Sequence, residues 1–176
     1  MANFALEIFD DECTKCIFYT VKWEYEDISE TEKFFEKYYN DPEFKEFAEE
    51  LAVFINKSIG YKYGAIDDFF RWEKKAHALP PKPGIKIDIE EITILADFPL
   101  RLYCLRISKS CVILFNGAPK TSDSAQEGET SMAFHEANVF AERILKALSE
   151  NALKLCPNDR TILNDLDSSE ITDILL

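Results

Sequence analysis

Two pairs of alternating runs, separated by stretches of helical period, confine this chain to an α+β fold. Phe4, Leu6 and Ile8 alternate with Ala5, Glu7 and Phe9, and Ile17, Tyr19, Val21, Trp23 and Tyr25 alternate with Phe18, Thr20, Lys22, Glu24 and Glu26. Successive strand side chains point to opposite faces, so both runs predict strands, joined by the polar turn Asp10–Lys15. Leu100–Ile107 and Cys111–Phe115 predict a second hairpin turning through Ser108-Lys109, which Gly117, Ala118 and Pro119 end.

Between the hairpins the period changes. Ser29 followed by Glu32 is a capping box that opens a helix carrying Phe34, Phe35, Tyr38 and Tyr39. Asp41-Pro42 predicts the cap and first residue of a second helix. Its apolar stripe is Phe44, Phe47, Ala48, Leu51, Phe54 and Ile55, and Gly60 is its stop. A third helix is expected from about Ile66 to Ala76, before the rigid connector of Pro80, Pro81, Pro83 and Gly84. Ile85, Ile87 and Ile89 read as a half-exposed strand with a bulge or turn at Glu90-Glu91. After a polar stretch over 121–131, Ala133, Ala137, Phe140, Ala141, Ile144 and Leu148 mark a long amphipathic helix. Ile171, Ile174 and Leu175 are spaced like one turn of a docking helix in an acidic tail. The expectation is a single α+β domain over 1–150, its antiparallel sheet carrying helices on one face, and an acidic extension over 151–176 that docks on the domain or a partner.

The 176 residues suffice for one core, built largely from rings: 14 Phe and 7 Tyr. No apolar run approaches the roughly 20 residues that span a bilayer, and Met1–Asp10 lacks the features of a secretion signal, so a cytoplasmic, non-membrane protein is expected. Cys13 and Cys16 form a C-x-x-C with no second pair, and the remaining Cys104, Cys111, Cys156, His77 and His135 are not spaced as metal ligands. Reduced thiols, no metal and no cofactor are the expectation, with the C-x-x-C a turn holding one buried and one exposed thiol. His135 beside Glu136 reads as a surface residue, and His77 beside Lys74 and Lys75 as a cation at a helix end that suits the helix dipole, rather than as acid–base groups.

The net charge of −13 excludes a general DNA-coating protein, because phosphate binding rests on Lys and Arg. One stretch breaks the pattern: from Phe98 to Ser122 there is no Asp or Glu, and Arg101, Arg106, Lys109 and Lys120 lie within it. Such an island either collects anions at short range or neutralises the chain's own acidic surface. Strand alternation puts Arg101 and Arg106 on opposite faces unless a bulge intervenes.

The segment LRLYCLRISKSCVILFNGAPK, from Leu100 to Lys120, together with the Ala-rich helix after it, resembles the second half of RelE/HigB-like toxin domains. The likeness covers about residues 98–148, and the helical pair after Ser29 fits the helical hairpin such domains carry. It implies a small α+β domain with metal-free cleavage of mRNA on the ribosome and a neutralising antitoxin or other protein partner. Arg101, Arg106 and Lys120 then stand at the catalytic positions, with Lys109 joining them in RNA binding. Those toxins are usually basic, and many place a Tyr or His near the chain's end, whereas no residue after Phe140 is aromatic or His. The alternative is a non-catalytic acidic interaction module whose surface mimics nucleic acid.

Overall fold

The computed structural model describes residues 2–84, 86–87, 90–91, 97–120, 129–164 and 173–175. The strands are β1 (Phe4–Asp10), β2 (Ile17–Trp23), β3 (Arg71–Glu73), β4 (Ala76–Leu79), β5 (Lys86–Ile87), β6 (Glu90–Glu91), β7 (Leu100–Ser108), β8 (Cys111–Pro119), β9 (Leu153–Leu155), β10 (Ile162–Asn164) and β11 (Asp173–Leu175). The helices are α1 (Glu30–Tyr39), α2 (Lys45–Val53) and α3 (Glu129–Ser149).

Seven strands form the main sheet in the order β11-β1-β2-β8-β7-β4-β3. Both expected hairpins pair antiparallel, with Leu6 opposite Val21 and Leu105 opposite Ile113. The sheet is mostly antiparallel, with one exception: β2 runs parallel to β8, Ile17 opposite Cys111 and Thr20 opposite Leu114. Parallel strands need a crossover, and here α1, α2 and everything through β7 supply it.

The sheet is covered on both faces, not one. Tyr19, Val21, Leu105, Ile113 and Phe115 point to a core closed by Ala137, Phe140, Ala141 and Ile144 of α3. The alternate residues, Phe18, Leu102, Cys104, Val112 and Leu114, meet Phe34, Tyr38, Ala48 and Leu51 of α1 and α2. The central strands are apolar at nearly every position, so both faces need cover; that near-continuous pattern is what puts helices on each side. The Ser29 capping box is present, with Ser29 Oγ accepting from Glu32 N at 3.2 Å and Glu32 Oε2 accepting from Ser29 N at 2.9 Å. Thr31 Oγ1 anchors α1 to the sheet, 2.7 Å from Thr20 Oγ1 and donating to the Phe115 carbonyl at 2.9 Å.

Three local expectations change. Helix α2 begins one turn later than Asp41-Pro42 predicts, and the Asp41 carboxylate instead accepts from Glu43 N in the preceding turn at 2.9 Å. The helix does not stop at Gly60 but widens into a π-helical stretch, Phe54–Tyr63, that ends at Gly64. The expected helix over 66–76 is a 3₁₀ turn, Asp67–Phe69, followed by the hairpin β3–β4, whose turn residue Lys74 has φ 62°. Phe69, Phe70 and Trp72 favour extended backbone, and Lys74 at positive φ cannot continue a helix.

Residues 153–164 fold back as the β9–β10 hairpin, with Leu153 and Ile162 in the α3-side core and the Ile162 amide donating to the Tyr19 hydroxyl at 3.0 Å. Ile174 pairs with Leu6 in β11, so this part of the acidic extension docks as an edge strand rather than a helical turn. β5 and β6 pair as a short hairpin. Ile85, Ile89, Ile92, Ile94, Ile171 and the polar stretch 121–128 lie outside the described residues.

Candidate functional site

The four cations of the acid-free island separate into two groups. Arg101 and Lys120 stand at one end of the β7–β8 hairpin; Arg106 and Lys109 stand at the other. At about 3.4 Å per residue, Arg101 and Arg106 are about 17 Å apart along β7. They also face opposite ways: Tyr103 and Leu105 share the α3 face with Arg101, while Leu102 and Cys104 share the other face with Arg106. Two register shifts interrupt the β7–β8 pairing: one between Leu102 and Cys104, with its extra residue on β8, and one between Arg106 and Ser108, on β7; neither brings the two arginines to one face.

Arg106 is tied to its own fold through Nε and Nη1. Its Nε donates to the Ala65 carbonyl, its Nη1 is 3.1 Å from Asp67 Oδ1, and its backbone N–H donates to His77 Nδ1 at 3.2 Å. His77 lies buried in β4 rather than at a helix end, with the Trp72 ring packed against it at a tilt, centroids 4.4 Å apart. That hydrogen bond puts the imidazole proton on Nε2. Burial, then the Arg106 charge, depresses the His77 pKa, against a smaller pull from Asp67.

Arg101 is 8% exposed, an uncommon depth for a guanidinium. Nη1 donates to the Phe98 and Leu100 carbonyls, both at 2.9 Å, while Nε and Nη2 have no hydrogen-bond partner among the described residues. The register sets its neighbours. Arg71 lies opposite Ala78, which lies opposite Tyr103; Glu73 lies opposite Ala76. Small alanines on the intervening β4 leave no bulky side chain between β3 and β7, and Arg71, Glu73, Arg101 and Tyr103 come within electrostatic range of one another. Burial, then the like charge of Arg71, lowers the Arg101 pKa. Burial lifts the Glu73 carboxyl above the usual carboxylate range, against the pull of Arg101 and Arg71. Burial, then Glu73, raises the Tyr103 phenol to about 12, so it stays protonated. Two guanidiniums near one carboxylate give this group a net positive charge. Arg71 is partly committed, donating from Nε to the Pro80 carbonyl at 2.8 Å and from Nη2 to Pro81 at 3.3 Å. Lys120, at the same end, is 3.7 Å from Asp97, and both side chains are well exposed.

Arg71 and Glu73 escape the sequence reading because they fall in the stretch read as helix. Their spacing of two, matched by Arg101 and Tyr103, is the signal that a strand assignment there would have exposed.

Both thiols of the C-x-x-C are buried, not one. Burial, helped by Asp10, pushes Cys13 up to about 11, and burial raises Cys16 further, which makes both poor nucleophiles. Burial likewise holds Cys111 at about 12 and raises Cys104. Among the described residues no group of three His, Cys, Asp or Glu side chains is placed to hold a metal, and no helix is long and apolar enough to cross a membrane.

A third feature is an apolar cleft of about 540 Å³ between the β1–β2 turn, α1 and the start of the π-helical stretch. Phe9, Phe18, Ile28, Phe35, Tyr39 and Ile55 line it, and Asp10, Glu32 and Glu36 are the charged residues in its lining.

No protein-family model matches the chain, and neither the curated proteins nor the solved structures contain a match.

Proposed function

We propose that this is a RelE/HigB-type, toxin-like or toxin-derived domain that acts on RNA, and that its reactive face is the one carrying Arg101, not the Arg106 end of the hairpin. The element order is compatible with the type once the β1–β2 hairpin is taken as an addition: a helical pair, sheet strands, the β7–β8 hairpin, then α3 packed through Ala137, Phe140, Ala141 and Ile144. The observation that carries the reading is Arg101, a largely buried arginine whose Nε and Nη2 have no protein partner among the described residues and reach solvent, next to a second arginine and a carboxylate of raised pKa.

In this reading Arg101 Nε and Nη2 and the Arg71 guanidinium hold the scissile phosphate and take up charge on its oxygens. Glu73 accepts the proton of the ribose 2′-hydroxyl as that oxygen bonds to phosphorus. The bond from phosphorus to the 5′-oxygen breaks, the departing oxygen takes a proton from water, and a 2′,3′-cyclic phosphate remains. The raised pKa makes Glu73 a stronger base than an ordinary carboxylate. Tyr103, buried and protonated, floors the site, and Lys120 adds exposed positive charge at the same end. No metal or cofactor has a part. A chain of −13 repels free RNA at long range, so substrate is delivered in a larger assembly such as the ribosome.

The test is growth on induced expression and mRNA cleavage with ribosomes present. The wild type should slow growth and cut RNA; Glu73→Gln and Arg101→Lys should each lose about 100-fold or more while melting normally, and Arg106→Gln should keep activity. A wild type that neither slows growth nor cuts RNA removes the enzymatic reading.

The alternative is then a non-catalytic acidic interaction module, and the apolar cleft favours it. Rings and Ile28 beside Asp10, Glu32 and Glu36 suit one occupant, a basic amphipathic segment of a protein partner.

A further inference from the structure

The far end of the β7–β8 hairpin holds a second cavity, of about 520 Å³, lined by Lys15, Lys62, Tyr63, Gly64, Ile66, Lys109 and Ser110. Its three lysines come from three separate segments: the β1–β2 turn, the end of the π-helical stretch and the β7–β8 turn. Among the described residues no carboxylate lines it. We infer that this lysine-lined cavity is a binding site for a compact oligophosphate, separate from the Arg101 face.

The walls are tied to one another through the main chain. Lys15 N donates to the Gly60 carbonyl at 2.8 Å, Ile17 N to Ser110 at 2.9 Å, and Ala65 N to Lys109 at 2.7 Å. Gly64, at φ 78°, lets the Lys109 carbonyl approach to where a Cβ would be 2.9 Å away, so the two lysine-bearing turns close against each other. Two arginines back the walls from behind. Arg106 Nε donates to the carbonyl of Ala65, next to Gly64, and Arg160 donates to those of Thr14 and Cys13, next to Lys15. The neighbouring Asp67 is paired with Arg106. Lys15 and Lys109 have no ion-pair partner among the described residues; Lys62, 5.0 Å from the Tyr63 ring centroid, is already engaged by its surroundings, so Lys15 and Lys109 carry most of the site's available charge.

Lysine ammoniums are strongly hydrated point charges that suit phosphate oxygens without fixing a plane. Two lysines free of ion pairs among the described residues, with a third beside them, outnumber the charge of a carboxylate and suit linked phosphates. Ligand size follows from the rest of the surface. The Debye length is about 8 Å at physiological ionic strength, so a compact anion in the cavity feels mainly the lysines, while a long polyanion also meets the surrounding acidic surface.

The measurement is calorimetric titration of the full chain with sodium tripolyphosphate, alongside orthophosphate and a short single-stranded RNA. Tripolyphosphate should bind, orthophosphate more weakly, and the Lys15→Gln/Lys109→Gln variant should lose about tenfold or more in affinity while melting as the wild type does. Arg101→Lys should leave this binding unchanged, which separates the cavity from the RNA-directed face. Absence of tripolyphosphate binding, or binding that the double variant retains in full, overturns the inference. RNA binding tighter than tripolyphosphate and lost in the double variant overturns the assignment to a compact ligand.

Discussion

The two ends of the β7–β8 hairpin use the same residue types to opposite ends. At one, Arg101 is largely buried, with Nε and Nη2 lacking a partner among the described residues and open to solvent, beside a carboxylate and a second guanidinium. At the other, Arg106 is spent on a backbone carbonyl and Asp67, and the charge left over belongs to lysines on turns. The difference teaches that the number of cations in a segment says little about chemistry; the bonds each one already makes decide whether it is a strut or a site. Arg106 is a strut that fastens β7 to the chain at Ala65 and, through its main chain, to His77.

Each end is also locked by one glycine, and replacing these gives the largest effects expected. A Cβ on Gly117 would stand 2.0 Å from the Arg101 carbonyl oxygen and 2.8 Å from Phe34. Gly117→Ala should therefore cost about 3 kcal/mol or more, read as a fall in the urea midpoint, with Arg101 chemistry lost alongside. Gly64→Ala places a side chain at φ 78° and against the Lys109 carbonyl. The expected cost is about 2 kcal/mol, with activity at the Arg101 face intact. If both variants damage both ends equally, the ends are not independent and the comparison fails.

Arg106→Gln comes next, at about 1 kcal/mol, since it loses a part-buried hydrogen bond to Ala65 and an ion pair whose Asp67 side chain is 85% exposed. Equilibrium urea denaturation should show the loss with no change in RNA chemistry.

The smallest effect is in pH. His77 has a folded pKa below its unfolded value, chiefly through burial and then through Arg106. A group depressed in this way contributes stability above the unfolded pKa, near about 6.5, and that contribution is lost as pH falls toward the folded pKa. Denaturation midpoints should fall between pH 7 and 5.5. The fall should be shallower in His77→Gln and in Arg106→Gln; a wild-type midpoint flat over that window would remove the coupling.

Much of this was readable from residues close in sequence. The Ser29 capping box, both hairpins and the α3 stripe are settled by partners a few positions apart, and each stands where alternation or helical period puts it. The parallel register of β2 on β8 depends on residues far apart and leaves no local mark. The same holds for the two faces, since an apolar residue such as Cys104 reads alike whichever helix covers it. Arg101 was flagged by charge alone, while Arg71 and Glu73 were hidden because Phe69, Phe70 and Trp72 space acceptably for a helix until Lys74 turns the chain. Lys15 and Lys62 are single lysines in unrelated segments, and only the main-chain ties at Gly60 and Lys109 bring them to one cavity.

The parallel pairing of β2 with β8 has a kinetic consequence. β1–β2 and β7–β8 close short turns and form on the microsecond scale of hairpins. Setting Ile17 against Cys111 must wait for a loop holding α1, α2 and β3 through β7 to close. Its entropy is lost before any contact across the β2–β8 seam is gained. Until that seam closes, two apolar strand edges stand open in the middle of the future sheet, so refolding should slow and aggregation compete as chain concentration rises.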